Sequence, residues 1–139
     1  MSWIIYAIGA IFSLGIADFF RKLGSSIKDP FVSNLLFQGA GFVTATILFL
    51  FFSKKFEGDP RGMIFAILGG IFISIFTAFS FKALAVGPGV STVLPIMRIG
   101  GVMLVVLLGI VLLREKLTWN IVLGLIFASS GVYLLFLNK

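Results

Sequence analysis

Five long apolar runs dominate the chain, over residues 2–20, 31–52, 62–86, 90–113 and 119–137. A helix needs about 20 mostly apolar residues to cross the hydrocarbon core of a bilayer, and each run is of that order. A transmembrane β-barrel would show segments of about 10 residues that alternate apolar and polar; these runs do not alternate. Every gap between them carries punctuation in charge, glycine or proline. The first holds Arg21, Lys22, Gly24, Lys28, Asp29 and Pro30, and the second Lys54, Lys55, Glu57, Gly58, Asp59 and Pro60. The third is the tight turn Gly87-Pro88-Gly89, and the fourth is Arg114-Glu115-Lys116, with Thr118 placed to cap the last helix. Pro30 and Pro60 suit helix starts, where a missing N–H costs little. The expected fold is an all-α membrane protein of five transmembrane helices, one domain over residues 1–139 with no loop long enough for a soluble part.

The residue content agrees with a bilayer as solvent. Of the 139 residues, 60% are apolar and 12% charged, against about 45–50% and about 25% in soluble chains. The chain has no cysteine and no histidine. That excludes disulfides and thiolate metal sites, and removes the commonest general base and metal ligand. No metal and no cofactor is expected. An enzyme is disfavoured too, because no pair of acids shares a depth. The net charge of +6 does not point to nucleic acid, since the basic residues sit in short gaps where they anchor helix ends at headgroups. Met1-Ser2-Trp3 lacks a basic leader and a small-residue cleavage pattern, so the first run reads as a span and not as a signal peptide.

Lysine and arginine in the gaps set orientation. Lys54, Lys55, Arg61, Arg114 and Lys116 fall on the side of the N-terminus; Arg21, Lys22, Lys28, Lys82 and Lys139 fall on the other. Five against five gives no preference, and copies inserted both ways are expected.

Within the spans, Arg98 stands about 5 Å from the middle of the fourth, taking 1.5 Å per residue. An ionisable side chain at that depth marks a functional site by default, at an insertion cost of about 2.5–3.5 kcal/mol. Pro95 lies one turn earlier and frees the carbonyl of Ser91. Ser91, Pro95, Arg98 and Val102 share a stripe that could line a wet pocket, the alternative being a packing kink. Asn34 and Gln38 lie four residues apart in the second span. Ser74 and Thr77, with Ser80 nearby, mark the third; Tyr6 and Ser13 mark the first. These stripes fit cavity walls or close helix contacts. Gly124, Ala128 and Gly131 make the fifth span a packing or dimer helix. Asp18 is followed by Arg21 and Lys22 at i+3 and i+4, which reads as a local ion pair, with ion coupling as the functional alternative. Lys22 and Lys82 are expected to snorkel.

The run from Phe81 to Thr118, FKALAVGPGVSTVLPIMRIGGVMLVVLLGIVLLREKLT, resembles the EamA domain of the drug/metabolite transporter superfamily. The matching features are Ala83-Leu84, Pro95, Glu115 in the REKLT turn, and Gly124 and Gly131; Gly15 and Lys22 match more loosely. Most members carry two such domains, ten helices with inverted halves, whereas this chain looks like the single-domain group. In that group a Pro-Ile pair is followed by an acid and a base. Here Pro95-Ile96 is followed by Met97 and Arg98, so the base matches and the acid is missing. The resemblance implies transport of small metabolites through a cavity lined chiefly by helices 1 to 4. The four-helix relatives use a glutamate in helix 1 for cation–proton exchange; helix 1 has none here, which disfavours that route. The expectation is therefore a transporter in the inner membrane of a prokaryote. It would act as an antiparallel homodimer by alternating access, with its small-molecule site near the midplane. The alternative is a non-transporting subunit or one half of a heteromeric flippase for lipid-linked sugars.

Overall fold

A computed structural model describes residues 2–53, 55 and 58–137. Lys54 and Lys139, which enter the lysine and arginine count above, and Glu57 of the second gap lie outside the described residues. The chain forms five helices: α1 (Ser2–Gly24), α2 (Pro30–Phe52), α3 (Pro60–Val86), α4 (Val90–Leu112) and α5 (Trp119–Leu137). All five are long and apolar enough to cross a membrane, and at most 17% of any apolar window is buried. Walls this exposed and this apolar need lipid around them. The hydroxyls on those walls are satisfied within their own helices: Thr44, Thr46 and Ser130 each donate to the carbonyl four residues back. No strand occurs among the described residues.

Two helices begin on the same device. Pro30 opens α2, and the Asp29 carboxylate before it accepts the Phe31 N–H at 2.8 Å. Pro60 opens α3, and Asp59 accepts the Arg61 N–H on its carboxylate at 3.4 Å and the Met63 N–H on its carbonyl at 3.1 Å. Proline supplies the helical φ at a position whose N–H would be orphaned anyway, and aspartate takes up a donor next to it.

The described residues fall into two compact units, Met1–Val86 and Gly87–Lys139. In the first, α3 packs against both α1 and α2. The residues buried there are Asp18, Arg21, Ser25, Ser33, Thr77, Ser80, Phe81 and Leu84. All belong to the end where α1 finishes, α2 starts and α3 finishes. Here α1 departs from its apolar window. That window stops at Phe20, but the helix runs on to Gly24 and takes Arg21 and Lys22 with it.

In the second unit α4 packs on α5, and α4 continues helical through Pro95. Its C-terminus closes on Gly109, whose carbonyl accepts the N–H of both Leu113 and Glu115 at 3.1 Å. Arg114 between them adopts left-handed φ of 55°. Gly109 is buried, and a Cβ built there would lie 2.8 Å from Glu115 Oε2. The absence of a side chain at 109 lets the Glu115 carboxylate fold back over the helix.

Candidate functional site

The first unit concentrates its polar groups in a buried knot, and the bilayer explains why. The last carbonyls of a helix have no partner within it, and a buried helix end without partners is costly in low dielectric. At the end of α1, Ser25 donates its N–H to Arg21 O at 2.9 Å and its hydroxyl to Lys22 O at 2.7 Å. Ser33, from α2, donates to Gly24 O at 3.0 Å. At the end of α3, Leu84 O accepts Lys22 Nζ at 2.6 Å. Lys22 thus does not snorkel; it fastens the end of α1 to the end of α3, with its cation at the negative pole of the α3 dipole.

Inside the knot, Arg21 Nη1 donates to Asp18 Oδ1 at 2.7 Å, and the two side chains are only 5% and 10% exposed. The guanidinium carbon lies 4.9 Å from the Phe37 ring centroid and 5.9 Å from that of Phe76. Phe81 meets Phe37 edge to face at 5.8 Å. Its ring also lies 3.4 Å from where a Cβ on Gly24 would be, so a small residue there lets the two elements meet. Opposite charges at hydrogen-bond distance cancel, and aromatic faces receive the rest of the guanidinium. Thr77 donates to Ile73 O at 2.7 Å and Ser80 to Thr77 O at 3.1 Å, both nearly fully enclosed. Asn34 is half-buried, and its side-chain oxygen is enclosed with no hydrogen-bond partner among the described residues. Gln38 and Ser74 are half-buried, while Tyr6 and Ser13 are exposed on α1.

In the second unit Pro95 and Arg98 are half-buried on α4, while Ser91 and Val102 on the same stripe are exposed. On α5, Ala128 is half-buried and Gly124 and Gly131 are exposed. A Cβ at either glycine would meet no atom within 4 Å.

Sequence reasoning named the Asp18–Arg21 pair but counted Arg21 and Lys22 as gap residues. It missed Ser25, Ser33 and the Phe37–Phe76–Phe81 box. The i+3 spacing of Asp18 and Arg21 was the available signal. The box is a product of tertiary packing and leaves none.

A family model, that of the EamA-like transporter family, matches residues 1–137. The chain belongs to this family. It is accordingly a multi-pass membrane protein and a transporter of the drug/metabolite type, with the lipid bilayer and a small-molecule solute as its partners. No curated protein and no solved structure matches it.

Proposed function

We propose that this EamA-family chain transports small neutral, zwitterionic or anionic metabolites across the inner membrane of a prokaryote, as an antiparallel homodimer working by alternating access. The observation that carries the reading is Arg98, half-buried on α4 about 5 Å from the helix midpoint. One turn before it, Pro95 leaves the Ser91 carbonyl without its helical donor. A cation and an acceptor on one stripe suit a solute bearing an anionic or hydrogen-bonding group. A two-fold axis in the membrane plane would set two Arg98 side chains on opposite sides of the midplane, and their field disfavours cations. Asn34, Gln38, Ser74, Ser13 and Tyr6 are the remaining solute-facing candidates; Thr77, enclosed with its hydroxyl on Ile73 O, joins them only if the helices part during the cycle. Gly124, Ala128 and Gly131 are the candidates for helix packing between copies. Asp18 serves ion coupling only if its bond to Arg21 opens during the cycle. Rocking one subunit against the other would expose the site alternately.

The test is flux in proteoliposomes over a metabolite panel. Arg98→Ala should abolish uptake while chemical crosslinking still traps the dimer. Unchanged flux would remove Arg98 from the site.

A further inference from the structure

A groove of about 200 Å³ runs along the first unit, lined by Pro30 and Phe31 of α2 and by Ile75, Ala78, Phe79 and Lys82 of α3. The four α3 residues follow i, i+3, i+4, i+7 spacing and so share one helix face. Five of the six lining residues are apolar, and the sixth is a cation. Lys82 is exposed and lies four residues before Val86, the last residue of α3, or about 6 Å inside the helix end. That depth belongs to the headgroup boundary. Of the other lysines near this end, Lys22 is engaged by Leu84 O. Lys28 is exposed two residues before Pro30 and adds positive charge there. The acid beside it, Asp29, holds the Phe31 N–H at 2.8 Å, which fixes its carboxylate to the helix start.

We propose that this groove binds an anionic phospholipid, with an acyl chain against Ile75, Ala78 and Phe79 and the headgroup phosphate at Lys82. The charge complementarity selects the occupant. An apolar trough alone accepts any acyl chain, whereas a trough ending in a lysine at headgroup depth discriminates by net charge. One basic residue against an anionic lipid surface is worth about five-fold in affinity. The inference is independent of the transported solute and of the arrangement of the dimer.

The full chain, purified in a neutral detergent, is exposed to phosphatidylglycerol or phosphatidylcholine of identical acyl composition. Retained lipid is counted by native mass spectrometry. Phosphatidylglycerol should bind about five-fold more tightly. Lys82→Gln should remove that preference, and Lys82→Arg should keep it. Ala78→Trp fills the trough without touching the charge and should lose the bound lipid; it also serves if Lys82→Gln does not fold. Equal binding of the two lipids overturns the proposal, as does a preference that survives Lys82→Gln or Ala78→Trp. Glycerol phosphate competing as well as the whole lipid would likewise overturn it, by showing a site for free phosphate.

Discussion

Asp18 and Arg21 hold opposite charges at 2.7 Å with almost no solvent. A buried pair of this kind is close to neutral in its net contribution, but removing one partner leaves an uncompensated charge and costs about 3–5 kcal/mol. Asp18→Asn should therefore destabilise the chain by that amount, read as the shift in a denaturing-detergent titration followed by circular dichroism. Adding Arg21→Met, which removes the stranded cation, should recover most of the loss. A single variant as stable as the parent would show that the pair has no structural role. The pairing itself was legible as i+3 spacing, since one helix suffices to bring those residues together. Its burial was not. Enclosure comes from Phe37 on α2 and Phe76 on α3, and nothing in a linear pattern says which aromatic residues of other helices will meet residue 21. Asn34 and Thr77 stood out as amide and hydroxyl in apolar surroundings. Ser33 did not, because the packed unit brings it to the Gly24 carbonyl, and Ser25 did not, because its bond to Lys22 O depends on α1 running on past the apolar window.

Helices were the most legible level. Five apolar windows yield five helices, because in a bilayer the backbone must satisfy itself within each segment. The end of α1 is the exception with a clear cause. Two adjacent cations closed the hydropathy window at Phe20, yet Arg21 is neutralised by Asp18 and Lys22 is anchored on Leu84 O, so the helix continues through both to Gly24. Helix α4 offers the element's own test. Pro95→Ala restores a donor to Ser91 O and removes a ring clash, which should raise stability by up to about 3 kcal/mol. The same change should slow flux, because it takes away the freed Ser91 carbonyl, two turns before Arg98. Melting temperature and flux moving in opposite directions would bear this out; both rising together would reduce Pro95 to a packing kink.

The placement of Arg21 and Lys22 within α1 also alters the expectation for the whole molecule. With every cation that lies within a helix set aside, Arg21 and Lys22 in α1 and Arg61 and Lys82 in α3, Lys28 and Lys139 remain on that side against Lys54, Lys55, Arg114 and Lys116 on the other, a bias of two charges by the alternation of spans. On a bias this small both insertions are still expected, in unequal shares, with the N-terminus expected to face the cytoplasm in the larger one. Topology reporters fused after Lys139 should accordingly give signal on both faces, more strongly on the external one. Signal on one face alone would exclude the antiparallel homodimer. The first unit adds a mechanical consequence. Helix α1 is held through its last two turns, Ala17 to Gly24, while nearly all of the rest of it is exposed. Trp3 lies about 27 Å from Arg21 along the axis at 1.5 Å per residue. With the knot as fulcrum, a tilt of only about 10° over that lever arm carries the far end by about 5 Å, the height of one helical turn, while atoms within one turn of the fulcrum move by about 1 Å.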